Sequence, residues 1–282
     1  MKLVLSRKGF DSQAGGCPSP IFPSGDFYSL PIPGGGTKRY EEISLGEHRL
    51  GAVVNDLTNG RIKPTCWAHL DPDLYRGSIQ RKPYWRPAFG QSGAAESHLR
   101  KMGVGEGDLF LFFGWFKRVE FVAGRYRYVR GAPDVHVLFG WLQVEKRICT
   151  DSPCNIPGWA SDHPHYAWVL VEPLNSLYLS TERLELPGLK LNTPGAGAFT
   201  TYRDMLCLTA PGRLRTVWRL RSWFYPKGKS SALSYHGDIS RWTSDGHHAL
   251  LQSVGRGQEF VLDCDEYPEA LDWLSEMFSV CD

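Results

Sequence analysis

The chain has 282 residues, 42% of them hydrophobic, and a formal net charge of +2. This composition excludes wholesale disorder and is sufficient for one large core, while the small net charge neither requires nor excludes nucleic acid. No segment approaches the ~20 apolar residues of a membrane span, and no signal peptide follows Met1, so we expect a cytoplasmic protein with no membrane partner.

The first third of the chain combines one strand with irregular segments. Residues 2–5 predict a buried strand, and residues 12–37, rich in Gly, Pro and Ser, predict a long ordered loop. A short helix is expected within residues 40–50. The clearest early helix covers residues 91–102, because Ser92 suits an N-cap and glycines follow the last turn.

The remaining two thirds are typical of a sheet. Apolar, aromatic and alternating patterns predict strands, followed by an amphipathic C-terminal helix at residues 268–278. The expected strands cover residues 108–116, 125–130, 135–144, 168–171 and 176–179. We therefore expect an α+β fold with a mostly antiparallel, partly barrel-like aromatic sheet. With no clear linker, residues 1–282 are predicted to form a single domain, with sub-regions 1–105 and 106–282.

A polar cluster follows the first predicted strand. Arg7, Lys8 and Asp11 stand close to the glycine pair Gly15 and Gly16. Arginine and free backbone N–H groups suit phosphate, so this loop is a candidate phosphate site, with Asp11 as a candidate catalytic carboxylate. The alternative is a charged turn with a glycine-rich flap.

A second cluster precedes a strand-like segment near the other end of the chain. Arg256, Gly257, Gln258 and Glu259 combine a cation, an amide and a carboxylate. We expect Glu259 to accept a proton or to stabilise an oxocarbenium-like centre, positioned by Gln258, while Arg256 and Gly257 bind phosphate. The alternative is an edge strand with solvated charges.

Histidines offer further acid–base groups. His163 or His165 is a candidate acid or base in a polar loop. A zinc set with Cys149 and Cys154 is disfavoured by its spacing and by the intervening proline, so we expect no metal site.

Two further segments contain polar groups that have both a functional and a structural interpretation. The cluster of His69, Asp71 and Asp73 can supply acid–base groups, but Asp-Pro pairs more often form ordinary turns. Gln91 stands where a helix N-terminus can receive an anion, and Glu96 there more often complements the helix dipole.

Aromatic side chains interleaved with cations suggest base stacking. Trp115 and Trp141 are the candidates, although aromatic strands are more often part of a core. The phosphate-loop, nucleophile-elbow and dinucleotide-binding motifs are not found, which weighs against nucleoside triphosphatases, α/β-hydrolases and dehydrogenases.

Several longer segments together resemble one protein family, the nucleotide modification associated domain of the third type. They are Val4-Leu-Ser-Arg-Lys-Gly-Phe-Asp-Ser12, Pro18-Ser-Pro-Ile-Phe22, His69-Leu-Asp-Pro-Asp73, Arg86-Pro-Ala-Phe-Gly-Gln-Ser-Gly-Ala-Ala95, Gly107-Asp-Leu-Phe-Leu-Phe-Phe-Gly-Trp-Phe116 and Ser253-Val-Gly-Arg-Gly-Gln-Glu-Phe-Val-Leu262. The resemblance implies a prokaryotic or phage setting and work on modified nucleic-acid bases, with partners in a modification or defence system. It implies no particular catalytic residue.

Two shorter resemblances indicate different mechanisms. Residues 137–144, with Gly107 and Asp108, look like the barrel core of PUA-like readers of modified bases. Residues 258–261 look like the catalytic glutamate strand of nucleic-acid ADP-ribosyltransferases, with Arg7 as a nucleotide-binding partner.

The hypothesis that follows is a nucleotide- or base-binding protein that takes part in base modification, as a transferase or glycosidic-bond enzyme. Its expected partner is a nucleotide, DNA or RNA, and its cofactor is unknown. A non-catalytic PUA-like reader, an ADP-ribosyltransferase-like enzyme and a structural subunit of a modification complex are the alternatives.

Overall fold

The computed structural model describes residues 1–150, 156–188, 192–226, 228, 231–255 and 257–279. Over these residues the chain has an α+β fold. The strands are, in chain order, β1 (Lys2–Arg7), β2 (Ser19–Ile21), β3 (Ile32–Arg39), β4 (Ser44–Leu45), β5 (His48–Arg49), β6 (Trp67–His69), β7 (Ala88–Ser92), β8 (Leu109–Val122), β9 (Arg125–Tyr128), β10 (Val135–Cys149), β11 (Asn175–Ser180), β12 (Ala196–Ala198), β13 (Val217–Arg221), β14 (Trp242–Ser244), β15 (His248–Gln252) and β16 (Glu259–Asp263). The α-helices are α1 (Leu50–Leu57), α2 (Gly93–Lys101) and α3 (Glu269–Ser279). None of the described helices is long and apolar enough to cross a membrane.

The main sheet follows the order β16-β1-β8-β10-β11-β7, with β2, β9 and β12 paired alongside this path. Strand β1 runs parallel to β8, and the other neighbours on the path are antiparallel. The long strands β8 and β10 are buried along most of their length. A strand covered on both faces needs an almost continuous apolar sequence, which explains their many Phe, Leu and Val residues.

Helix α3 and a small antiparallel sheet, β13-β15-β14, contribute to the main core. The buried stripe of α3 includes Leu274, Met277 and Phe278, as its helical periodicity predicts. Phe278 packs against Trp141 and Phe199, with ring centroids 5.2 and 6.0 Å away. The C-terminal helix is therefore an integral part of the core.

The expected partly barrel-like sheet is not confirmed, because no sheet closes among the described residues. Instead, segments outside the main sheet form hydrogen bonds with its two edge strands, β16 and β7. At β16, the Ser234 N–H donates to the Val261 carbonyl oxygen at 2.9 Å. At β7, Asp73 and Ala88 exchange backbone hydrogen bonds of 2.9 and 3.2 Å. Covered edges protect the sheet without closure.

Most of the predicted elements are confirmed, and three predictions are wrong in part or whole. The expected loop at 12–37 contains β2 and the start of β3. The expected helix at 40–50 is a 3-10 turn and the β4–β5 hairpin, with α1 beginning only at Leu50. Residues 168–171 form turns and no strand, because this short apolar run lies largely at the surface.

The topology brings the two ends of the chain together. The antiparallel register of β1 and β16 places Ser6 opposite Glu259. The segment that leaves β1 after Arg7 therefore begins beside the segment that leads into β16. Both polar clusters consequently lie at the same end of the sheet.

Candidate functional site

A cleft with a volume of about 910 Å³ opens where β1 ends and β16 begins. Its wall is built from segments that are far apart in the sequence. They include residues 7–14, 69 and 71, 90–92, 164–165, 215–216 and 257–258. The cleft lies within the ~300–1,000 Å³ typical of small-molecule sites.

Glu259 is buried beside this cleft and is held by three side chains. The Ser6 hydroxyl donates to its Oε1 at 3.1 Å, the Lys8 ammonium lies 3.2 Å from the same oxygen, and the Gln91 amide also donates to it. Its other oxygen, Oε2, is buried and has no hydrogen-bond partner among the described residues. A buried carboxylate oxygen without a partner is costly and uncommon in native proteins.

These contacts revise several sequence predictions. Gln258 was expected to position Glu259, but its side chain is exposed and has no hydrogen bond to that carboxylate. Gln91 does so instead, and its own oxygen accepts the Ser92 N–H at 2.9 Å, which fixes the amide orientation. Lys8, expected to bind phosphate, is paired with Glu259 and lies 4.5 Å from the Phe89 ring centroid.

Arg7 links the two polar clusters directly. Its guanidinium donates to the carbonyl oxygens of Val254 and Gly255 at 2.8 and 3.0 Å, and its backbone N–H donates to the Gln258 carbonyl oxygen at 2.8 Å. Arg7 lines the cleft, and its buried Nε has no hydrogen-bond partner among the described residues. Its first role is thus to fix the segment before β16.

An imidazole and a second arginine form another part of the wall. The Trp218 indole donates to His136 Nδ1 at 3.0 Å, so the ring proton of a neutral His136 is on Nε2. Burial, together with the charges of Arg7 and Arg215, lowers the pKa of His136 to about 3. The Arg215 guanidinium lies 3.9 Å from the Trp115 ring centroid, a cation–π contact. This part of the cleft combines positive charge with aromatic surface.

Another part of the wall carries a group of histidines around Asp71. The His165 backbone N–H donates to His163 Nδ1 at 3.2 Å, which leaves the proton on His163 Nε2, 3.2 Å from Asp71 Oδ1. Burial alone would raise the pKa of Asp71, but the neighbouring His163, His165 and Lys8 hold it below its usual value. Burial lowers the pKa of His69 and of His165, against the opposing effect of Asp71. Asp71 is thus an anion next to His69 and His165, whose protonated forms burial disfavours.

The remaining predicted phosphate and catalytic residues have mixed positions. Asp11 lines the cleft, but its carboxylate accepts the Gln13 and Ala14 N–H groups at 2.7 and 2.6 Å and so closes its own loop. Gly15 and Gly16 do not line the cleft. Gly257 does, whereas Arg256 lies outside the described residues.

The other residues considered in the sequence do not line the cleft or lie outside the described residues. Trp141 is buried in the core and its indole donates to the Pro194 carbonyl oxygen at 2.9 Å, so no base can stack on it in this structure. Cys149 is buried in β10, and Cys154, its suggested zinc partner, lies outside the described residues. Glu96 is fully buried and accepts from Ser176 and Tyr178, which gives it a structural role in place of dipole compensation alone.

Sequence reasoning missed several residues of the cleft. Arg215 and His136 carry no local motif, and Trp168 was assigned to a strand although it is 53% exposed at the cleft. The His-Leu-Asp spacing at residues 69–71 was a usable signal, but a turn was the simpler interpretation.

Comparison with known protein families gives a match over most of the chain. The sequence model of the family described as nucleotide modification associated domain 3 matches residues 2–263. No curated protein and no solved structure matches the chain.

Proposed function

This chain belongs to the nucleotide modification associated domain 3 family, and from that premise we propose that its cleft binds a nucleotide or a flipped-out base and takes part in modifying it. The family description supports a role in nucleotide modification. The volume of the cleft also supports nucleotide binding, because about 910 Å³ is sufficient for a nucleotide.

The charged and aromatic wall suggests how the ligand lies. Arg215 and Arg7 both line the cleft and are placed to hold phosphate, while Trp115 and the exposed Trp168 offer ring surface to a base. Stacking on aromatic side chains contributes about 1–3 kcal/mol per base, which offsets the few kcal/mol needed to extrude a base from a duplex.

The unpartnered Oε2 of Glu259 is the observation that carries a catalytic role. A fully buried carboxylate that binds three donors through one oxygen, and no donor of the described residues through the other, retains capacity for a substrate proton or a developing positive charge. We therefore propose a transferase or glycosidic-bond reaction with Glu259 as acid/base or oxocarbenium stabiliser.

The test combines nucleotide binding with turnover in the wild type and in Glu259→Gln. Binding of ribo- and deoxyribonucleotides is measured by calorimetry, and products on nucleotides and single-stranded oligonucleotides are identified by mass spectrometry. We expect Glu259→Gln to bind the wild-type ligand and to lose about 10²–10⁴-fold in turnover, the usual range for an acid–base group.

Glu96→Gln is the matched control. Glu96 is also fully buried and held by hydroxyl groups, but its partners Ser176 and Tyr178 do not line the cleft, whereas Lys8 and Gln91, which hold Glu259, do. This variant should lose stability and keep turnover at a temperature where it is folded. Undiminished turnover by Glu259→Gln would remove the catalytic assignment, and a wild-type protein that binds nucleotide without turnover would favour the reader.

A further inference from the structure

Three side chains on the cleft wall offer ligand atoms to one point. One ligand atom from each of His69, Asp71 and His165 lies within 4.8 Å of those of the other two. We infer that these residues bind one divalent first-row transition-metal ion on the wall of the cleft. The inference is independent of the proposed nucleotide chemistry, because it depends only on the ligand atoms and their surroundings.

Local backbone structure brings the first two ligands together. Strand β6 ends at His69, and the Asp71 N–H donates back to the His69 carbonyl oxygen at 2.9 Å. This tight turn places the imidazole and the carboxylate side by side. The Gly90 N–H donates to Asp71 Oδ1 at 2.7 Å, while Oδ2 accepts no hydrogen bond from any described residue.

The third ligand depends on a glycine in the neighbouring strand. A Cβ atom on Gly90 would lie 2.3 Å from the His165 ring, well inside any real contact. The ring therefore occupies space that only glycine leaves open in β7. Its centroid lies 5.3 Å from that of His69, with the two rings inclined at 74°.

Hydrogen bonds leave the same nitrogen available on both rings. His69 Nδ1 lies 3.3 Å from the Gly35 carbonyl oxygen, which can only accept, so the ring proton is on Nδ1. His165 Nδ1 donates in the same way to Asn175 Oδ1 at 2.7 Å. Each Nε2 then presents a lone pair and has no described hydrogen-bond partner. Metal-binding histidines usually donate their other N–H to an oxygen in this manner.

The ligand types narrow the choice of ion. Calcium and magnesium prefer oxygen ligands, whereas two imidazoles and one carboxylate suit zinc or non-haem iron. Three protein ligands leave coordination positions for water or for a substrate atom. Because all three residues line the cleft, those positions face it.

Zinc titration of the full chain tests the site. Protein freed of metal by a chelator is titrated with Zn²⁺ by calorimetry, and bound zinc is counted by elemental analysis. We expect one zinc per chain. Asn175→Ala should weaken binding by about 10–100-fold, and His69→Ala or His165→Ala by more than that, because an outer partner matters less than a ligand.

His98→Ala is the matched control, since it removes a half-buried imidazole on α2 that bonds to Ser234 outside the cleft. It should keep the wild-type affinity and stoichiometry. Zinc binding as tight in His69→Ala as in the wild type, or no binding by the wild type, would overturn the inference.

A spectroscopic measurement covers ligand variants that fail to fold. X-ray absorption at the zinc edge of the loaded wild-type chain counts imidazoles directly. Two imidazoles with oxygen ligands support the site, while sulfur ligands or a different number of imidazoles contradict it.

Discussion

His136 shows how burial and one hydrogen bond set the state of a side chain in the cleft. The indole N–H of Trp218 can only donate, so His136 Nδ1 must accept and a neutral ring keeps its proton on Nε2. Burial and the two nearby arginines, Arg7 and Arg215, disfavour a second proton. The ring is therefore a neutral hydrogen-bond donor at physiological pH.

This state predicts a pH-dependent stability. The pKa of His136 is lowered to about 3 in the folded chain, so between that value and its usual 6.5 the unfolded chain binds an extra proton. Stability is then present above pH ~6.5 and decreases as the pH falls, by up to about 1.4 kcal/mol per pH unit from this group. Urea unfolding at pH values from 4 to 8 should show that the free energy of unfolding changes less steeply with pH in His136→Asn than in the wild type. The amide oxygen of the asparagine can still accept from Trp218.

His247→Asn, which removes an exposed imidazole, is the control. Its free energy of unfolding should change with pH as in the wild type. If the free energy of unfolding changed equally with pH in the wild type and in His136→Asn, His136 would not remain neutral in the folded chain.

The partners of Glu259 could not be predicted from its sequence neighbourhood. Gln258 is adjacent in sequence, but adjacent side chains along an extended chain point to opposite sides. The residues that bind the carboxylate, Ser6 and Gln91, are 253 and 168 positions away. The local sequence around Glu259 suggested a reactive glutamate. The residues that contact its carboxylate followed only from the pairing of the strands.

At the scale of elements, strongly periodic segments were predictable and short ones were not. The aromatic strands β8 and β10 are almost continuously apolar, as buried strands are, and the helix α3 has an apolar stripe at helical spacing. Each of these elements could therefore be predicted from its own sequence. Residues 168–171 are as apolar as a strand, yet they form turns. A run of four apolar residues does not show whether another strand lies beside it to pair with. The walls of the cleft come mainly from such short segments.

Helix α3 provides a test of how far the core extends. Leu274 is fully buried, so Leu274→Ala should lower the free energy of unfolding by about 2–5 kcal/mol through the cavity it leaves. Chemical denaturation measures this loss. Asp272→Ala changes an exposed position of the same helix and should cost at most about 1 kcal/mol, from the helix dipole.

Similar losses in the two variants would mean that α3 is only loosely attached to the sheet. A large loss in Leu274→Ala alone would confirm that the helix completes the core beneath Trp141 and Phe199.

At the scale of the whole molecule, the net charge of +2 does not reveal the distribution that matters. Lys8 is neutralised by Glu259, which leaves Arg7 and Arg215 as the described cations of the cleft wall without a carboxylate ion pair. Long nucleic-acid sites use many such cations, whereas this wall suits one or two phosphates. The charge distribution therefore favours a nucleotide-sized ligand or a single extruded nucleotide.

The dependence of binding on salt distinguishes these cases. Each phosphate contact to a single strand changes the slope of log K against log salt by about −0.7, so two contacts predict a slope near −1.4 for a short oligonucleotide. Fluorescence anisotropy over a salt series measures it. Arg215→Ala should make the slope shallower by about 0.7, while Trp168→Ala should weaken binding and leave the slope unchanged, because stacking releases no counterions. A wild-type slope several times steeper would place the nucleic acid along a longer basic surface outside this cleft.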